Sequence, residues 1–349
     1  MKLAMPSDLD EDAVRRWIAR AVPDVGEPAV FARFAGGQSN PTYRVATPDG
    51  DYVLRRKPFG ALLASAHAVD REYRLLSALY PTGFAVPRPV ALCTDDGVIG
   101  TMFYLMEMVD GRVFWDGGLP DLAPAERGIA YRSMVDTLAA LHAIDPVAVG
   151  LADFGRSGNP FARQIDRWTR QYRASQTEHS PEMEALIAWL PSSIPASTRT
   201  TIVHGDYRLD NLVYANSSPT VAAVLDWELA TTGDPLADFA YLALNWVLPH
   251  TPGRSGLGGL ELDALAIPTL EQVTAQYCGA AGLASIPPLQ WYFAFNLFRG
   301  AGILQGIAKR MADGNAAGVD AAAAVDTLPG LIRAAWSFAR QAGAPDLLH

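Results

Sequence analysis

Asp206 and Asp226 each follow a short apolar run, Thr201 to Val203 and Val221 to Leu225, with the length and β-branched content of a buried strand. Asn211 stands five residues after Asp206, and a Leu-Val-Tyr run follows it. The stretch from Thr200 to Asp238 therefore reads as strand, polar loop, strand, turn, strand. That order can bring Asp206, Asn211 and Asp226 to one spot. Carboxylate and amide oxygens gathered there are hard ligands. They suit Mg²⁺, which keeps few protein ligands and is completed by the phosphates of a bound molecule. A lone Asp or Asn in a turn ordinarily caps the turn or a helix. The full set asks for more: His204-Gly205-Asp206, four residues, Asn211, then Asp226 fifteen residues later at the end of an apolar run. The same pattern occurs in phosphoryl-transfer centres. There the first Asp accepts a hydroxyl proton, the Asn holds metal, and the second Asp bridges metal to phosphate.

The segment TTIVHGDYRLDNLVYANSSPTVAAVLDWELATTGDPLAD resembles the catalytic core of the aminoglycoside phosphotransferase and choline kinase superfamily, relatives of protein kinases with HGD in place of HRD. RQIDRWTRQY and FNLFRGAGILQGIAKR are similar to a subfamily of kinase-like proteins, found alone in bacteria and fused to acyl-CoA dehydrogenase domains in animals. The resemblance runs from about Val30 to the last helix. It implies an α+β, bilobal, protein-kinase-like fold, with a small antiparallel-sheet N-lobe (1–109), a mostly helical C-lobe (110–349), and ATP with Mg²⁺ between them. It further implies that Asp206 is catalytic, that Asn211 and Asp226 hold the metal, and that Arg55 aligns with the phosphate-binding Lys of kinases. Glu72 becomes the partner of that cation, and the backbone of Glu107 and Val109 meets adenine. The GGQSN turn becomes the nucleotide-covering loop, with Gly37, Gln38 and Ser39 at the phosphates. Trp227-Glu228 replaces the Phe-Gly of protein kinases and no APE motif follows, which argues against a protein substrate. An acidic residue two places after the metal Asp, here Glu228, matches choline-kinase-like sites and can join a second metal shell.

A chain of 349 residues, 50% hydrophobic and 19% charged, can bury one large core or two ordinary ones, and two lobes are expected. A net charge of -9 argues against general affinity for nucleic acid or anionic membrane, while leaving room for a local basic pocket. Cys93 and Cys278 stand far apart without metal or redox spacing, so neither a disulfide nor a nucleophile is expected. The opening MKLAMPSDLDED turns acidic where a signal peptide would be apolar, and no apolar run of membrane-spanning length occurs. The expectation is a soluble, cytoplasmic protein.

These residues need elements to carry them. A helix with an acidic first turn is expected just after Ser7, packed outside the first lobe. Val30 to Phe34, Thr42 to Ala46 and Tyr52 to Arg56 read as three antiparallel strands, the last two joined at Asp49-Gly50. Gly36 and Gly37 let the intervening backbone approach a ligand. Arg55 and Lys57 share one face of the third strand and Arg56 takes the other, so either Arg55 or Lys57 can be the phosphate ligand. SAHAVDREYRLLSALY places Val69, Tyr73, Leu76 and Leu79 on one helical face with Glu72 beside it. Two more strands flank TDDG, the second being MFYLMEMV, which puts Met106 and Met108 near the hinge as adaptable apolar packing.

After Gly111 helices dominate: Pro124 to Ile144, a helix carrying Arg163, Arg167, Arg170 and Arg173, Pro235 to Leu248, Leu270 to Gly282, Pro288 to Met311, and Ala316 to Ala342. His142 reads as a satisfied structural histidine, Asp238 as support for the HGD loop, and Pro252 to Leu260 as a mobile glycine-rich loop.

The resulting expectation is an ATP-dependent kinase acting on a hydroxyl of a small metabolite. The subfamily resemblance suggests a hydroxyacyl-CoA and a functional association with acyl-CoA dehydrogenases. An anionic acceptor would suit the arginines at 163, 167, 170, 299 and 310, which can equally be ordinary surface and inter-helix residues. A polycationic antibiotic would require an acidic pocket, with which the overall charge agrees. A nucleotide-binding pseudokinase scaffold would be expected to lack one of Asp206, Asn211 or Asp226, and all three are present.

Overall fold

The computed structural model describes residues 3–4, 9–34, 40–59, 68–155, 158–197, 199–313 and 319–346. The loop expected to cover the nucleotide, with Gly37, Gln38 and Ser39, lies outside them. The first elements in order are β1 (Leu3–Ala4), α1 (Glu11–Ala21), β2 (Val30–Phe34), β3 (Thr42–Thr47), β4 (Gly50–Arg56), α2 (Val69–Leu79), β5 (Pro89–Cys93) and β6 (Phe103–Glu107). The strands form one antiparallel sheet in the order β1-β2-β3-β4-β6-β5. Asp10 caps α1 by accepting from the Ala13 N–H at 2.9 Å.

Side-chain alternation along β4 decides what each face does. Tyr52 and Leu54 join Phe103 and Leu105 of β6 in a cluster sealed by Val14 and Ile18 of α1. Val53, Tyr104 and Met106 face the other way, onto α2 and into the large core that continues through the helical lobe. Arg55 shares that second face by the same period of two. Arg56 takes the opposite face to Arg55 and is buried, with its guanidinium 4.0 Å from the Phe59 ring centre.

The chain continues as α3 (Pro124–Ala143), α4 (Pro160–Ser175), α5 (Pro181–Trp189), β7 (Thr201–Val203), β8 (Leu212–Tyr214), β9 (Val221–Val224), β10 (Thr231–Gly233), α6 (Leu236–Ala243), α7 (Leu270–Ala281), α8 (Gln290–Ala312), α9 (Val319–Asp326) and α10 (Leu328–Gln341). Local signals set these boundaries. Asn159 caps α4 ahead of Pro160, Ser180 caps α5 ahead of Pro181, and Thr269 with Gln272 forms a capping box at α7, which ends at left-handed Gly282. From Trp291 to Phe298 every residue of α8 is buried, as expected of a helix surrounded by others.

Two expectations need correction. The last helix is two, α9 and α10, because Pro329 has no N–H to give to the preceding turn and the break falls at Thr327. The glycine-rich run Pro252 to Leu260, expected to be mobile, is tied down. Leu257 is buried and its N–H bonds to the Asn245 carbonyl at 2.6 Å, and the Gly253 N–H bonds to Asp116 Oδ2 at 2.8 Å. Cys93 and Cys278 are both free and buried. Among the described residues no helix is long and apolar enough to cross a membrane.

Candidate functional site

β7 pairs with β10 and delivers His204-Gly205-Asp206 at its carboxyl end. Asp238, in the first turn of α6, accepts the His204 N–H at 2.6 Å and the Gly205 N–H at 2.8 Å. The expected supporting role of Asp238 is thus a pair of charge-assisted hydrogen bonds to the loop backbone. His142 is fully buried between the Tyr277 hydroxyl, 2.8 Å from Nδ1, and Asp238 Oδ2, 3.5 Å from Nε2. His204 accepts the Asp206 N–H on Nδ1 at 3.2 Å and donates from Nε2 to the Leu225 carbonyl at 2.9 Å, which joins the HGD loop to the strand leading into Asp226. Gly205 has φ +83°, and a Cβ there would lie 2.7 Å from the Leu229 carbonyl oxygen. Only glycine meets both conditions.

The side chains of Asp206 and Asn211 meet. Asn211 donates Nδ2 to the Asp206 carbonyl at 2.9 Å and to Asp206 Oδ2 at 3.1 Å, which engages its nitrogen and leaves its amide oxygen as a hard donor. Arg208 Nε is 3.6 Å from Asp206 Oδ2, and its Nη2 is 2.6 Å from Asp210 Oδ2. Burial works against the Arg208 charge, yet the carboxylates of Asp210, Asp206 and Asp226 together hold its pKa above the ordinary arginine value. Asp206 and Asp226 therefore act on one guanidinium.

Asp226 takes a left-handed conformation, φ 63° and ψ 63°, which a non-glycine residue rarely adopts. The next residue, Trp227, packs its ring 4.5 Å from that of His204 and donates Nε1 to the Val224 carbonyl at 2.9 Å. Asp226 Oδ1 then receives Arg55 Nη2 at 2.7 Å, while Arg55 Nε lies 3.1 Å from Glu72 Oε2 and Nη2 lies 3.6 Å from Glu228 Oε2. Arg55 is only 8% and Glu72 only 3% exposed. The Nε–Oε2 contact is an ion pair out of hydrogen-bond alignment, so both buried atoms can take a further partner.

Three carboxylates thus surround one guanidinium. Burial pushes Glu72 up to about 7, the charges of Asp226 and Glu228 add to this, and Arg55 opposes it. Arg55 itself stays charged: burial disfavours its charge, but Glu72 and Asp226 outweigh that. Lys57, the other candidate on this strand face, lies 3.9 Å from Asp70 of α2.

At the hinge, the Glu107 side chain is half exposed and paired with Arg88 at 3.0 Å. The Glu107 N–H bonds to the Arg88 carbonyl at 2.9 Å and the Met108 N–H to the Asp51 carbonyl at 3.0 Å, whereas the Val109 N–H has no protein partner among the described residues.

Several site residues escaped the sequence reading. Arg208 and Asp210 sit inside HGDYRLDN, where two charges within the motif were the available signal. Tyr241 and Tyr104 carried no signal beyond their type; the Tyr104 hydroxyl bonds to Glu72. The arginines of α4 do not gather. Arg170 pairs with Asp166 at 2.7 Å and Arg173 with Glu184 at 3.2 Å, both exposed, and Arg163 donates to the Gly158 carbonyl at 2.6 Å. Arg299 instead reaches the catalytic loop, and Arg310, eleven residues further along α8, is exposed. Two concavities of about 590 and 460 Å³, at α5/α10 and beside α7, are lined by none of these residues.

A sheet lobe set on a helical lobe, with Asp206-Asn211 at the end of one strand and Asp226-Arg55-Glu72 after another, defines a kinase-like phosphotransferase scaffold. The chain belongs to the phosphotransferase enzyme family, whose pattern it matches over residues 30–273. Mouse acyl-CoA dehydrogenase family member 10 is 44% identical over 317 residues, covering 90% of this chain but only 30% of that protein's length. A crystal structure from Ralstonia eutropha, named for an aminoglycoside phosphotransferase, is 43% identical with a TM-score of 0.87, covering 95% of this chain and 99% of that one. An aminoglycoside phosphotransferase in ternary complex with AMP-PNP and hygromycin B shares the fold at 16% identity and TM-score 0.57, covering 96% of this chain and 99% of that one.

Proposed function

We propose that the protein is an ATP- and Mg²⁺-dependent small-molecule kinase that transfers the γ-phosphoryl group to a substrate hydroxyl. The observation that carries this reading is a pair of clusters whose carboxylates, Asp206 and Asp226, both act on the Arg208 guanidinium. One is Asp206 held by Asn211 Nδ2 at 3.1 Å, and the other is Asp226 held by Arg55 Nη2 at 2.7 Å. Among the described residues no three His, Cys, Asp or Glu side chains form a metal site by themselves. The hard oxygens of Asn211 and Asp226 fit a Mg²⁺ whose remaining ligands are phosphate and water oxygens. The buried, unaligned Nε of Arg55 fits an anion arriving beside it. Bound there, Mg²⁺ would neutralise charge on the phosphates.

The chain's own residues then do the rest. The acceptor oxygen bonds to the γ-phosphorus, the bond to the ADP oxygen breaks, and the hydroxyl proton passes to the Asp206 carboxylate. Asn211 fixes Asp206, Arg55 steadies the phosphates, and Glu72 with Tyr104 steadies Arg55. In a loose transition state this positioning and charge compensation supply most of the rate. The Val109 N–H and the Glu107 backbone, with Met106 and Met108 nearby, are the proposed adenine contacts, and the glycine loop through Gly37, Gln38 and Ser39 the proposed phosphate cover.

For the acceptor we infer a hydroxyl on an acyl chain, as in a hydroxyacyl-CoA. What supports it is the similarity to a protein named as an acyl-CoA dehydrogenase family member, since phosphorylating a chain hydroxyl prepares it for elimination. A functional link to acyl-CoA dehydrogenases is part of the same proposal. The alternative acceptor, an aminoglycoside, is supported by the name of the Ralstonia eutropha structure. A coupled ADP-release assay comparing 4-hydroxyacyl-CoA with kanamycin-type aminoglycosides, choline and sugars tests both. Turnover of hydroxyacyl-CoA is expected, aminoglycoside turnover alone would replace the acceptor, and Mg·ATP binding without turnover of any acceptor would favour a pseudokinase.

A further inference from the structure

Arg299 lies on α8 just past its fully buried stretch, where an unpaired charge would be costly. Among the described residues it makes no ion pair within 4.0 Å. Its Nη1 donates instead to the Gly205 carbonyl at 2.9 Å, and its guanidinium stands 5.5 Å from the ring centre of Tyr241 on α6. The Tyr241 hydroxyl faces the Asp206 carboxylate. A cation from one helix and a phenol from another thus converge on two consecutive residues of the HGD loop. Gly205 is the residue whose backbone is least ordinary there.

We propose that Tyr241 and Arg299 are a positioning pair for the proton-accepting carboxylate. Arg299 anchors the peptide before Asp206 and carries the Tyr241 ring, and the Tyr241 hydroxyl holds one side of the carboxylate so that another side is presented to the acceptor. The proposal rests on the reading of Asp206 as proton acceptor. Burial raises the pKa of the Tyr241 phenol, the neighbouring Asp206 charge raises it further, and Arg299 only partly offsets this, so the phenol keeps its proton and acts as a donor. Asn211 and Arg208 hold Oδ2 from within the loop. Tyr241 holds the same carboxylate from outside the loop, and Arg299 holds the peptide just before it. If the pair only pinned α6 and α8 together, its loss would move stability and leave the split between kcat and KM alone.

The test uses Tyr241→Phe, Arg299→Gln, Arg299→Lys and the double variant Tyr241→Phe/Arg299→Gln, assayed for ADP release with the best acceptor found or with water. Tyr241→Phe is expected to lower kcat about tenfold or more with KM for ATP changed less than about twofold, the signature of an interaction needed in the transition state. Arg299→Lys, which can still donate to the Gly205 carbonyl, should recover part of what Arg299→Gln loses. The double variant should be little worse than Arg299→Gln, because the two act as a unit. Unchanged kcat in Tyr241→Phe, or losses that only follow the melting temperature, would overturn the proposal. If the wild type releases no ADP even with water, the kinase reading fails, and hydrogen exchange across residues 203–212 then decides this proposal by itself. Faster exchange in Arg299→Gln supports the anchor, and unchanged exchange overturns it.

Discussion

Arg55 Nη2 stands 2.7 Å from Asp226 Oδ1, so a strand of the sheet lobe and a turn of the helical lobe meet across 171 residues of chain. On the proposed reading, the contact places a cation beside the phosphates that Asp226 would bridge through metal. Arg55→Ala should therefore weaken Mg·ATP binding about tenfold or more, and clearly more than Lys57→Ala, because only Arg55 presents a fork to this carboxylate. Isothermal calorimetry on both variants checks the order, and the reverse order would move the phosphate ligand to Lys57.

Asp206 has its backbone N–H on His204 Nδ1 and its carbonyl on Asn211 Nδ2, so the loop backbone is held by its own residues. Asp206→Asn keeps the shape and removes the proposed proton acceptor. Turnover should fall about 10³-fold or more, roughly 4 kcal/mol of barrier, while nucleotide binding persists. Equal turnover in purified wild type and variant would remove Asp206 from the chemistry.

Asp226→Ala should abolish Mg²⁺-dependent ATP binding, since Asn211 alone cannot replace a carboxylate as bridge. Affinity measured with and without Mg²⁺ separates this from a general loss of nucleotide binding. A magnesium effect as large as in the wild type would reject the assignment.

Glu72 carries a testable pH dependence. Its folded value of about 7 lies above the ordinary 4.5, so the folded protein holds a proton that the unfolded chain releases. Stability from this group is fully present below about pH 4.5 and is lost as pH rises through about 7. Glu72→Gln lacks the ionisation. The melting temperature of the wild type relative to this variant should therefore be higher at pH 5 than at pH 8, by an amount on the order of 1–3 kcal/mol in free energy. A constant difference across that range would show that Glu72 ionises in the folded protein as it does in the unfolded chain.

Sequence alone settled what depends on short-range periodicity and on residue type. The two runs ending near Asp206 and Asp226 are strands because β-branched residues fit a buried ladder, and the β3–β4 turn falls at Pro48-Asp49, one residue earlier than the Asp49-Gly50 expected from the sequence. The period of two along β4 put Arg55 and Lys57 on one face. It could not choose between them, because the choice depends on where α2 and the turn after β9 come to rest. Tertiary structure sets Arg55 opposite Tyr104, facing Glu72 and Asp226, while Lys57 lies past the last paired residue, toward Asp70.

The same limit applies to Arg299. Residue type grouped it with Arg310 as a candidate for an anionic acceptor, yet its partner is a carbonyl 94 residues earlier, reached only because α8 packs against the HGD loop. The run from Pro252 to Leu260 has the composition of a mobile loop, but Asp116, from 137 residues away, holds the Gly253 N–H. Local composition encodes turns, caps and strand faces, whose energies arise among neighbours in the chain. Which charges meet, and which glycines are pinned, follows from long-range packing, where burial makes an unpaired polar group costly and selects its partner.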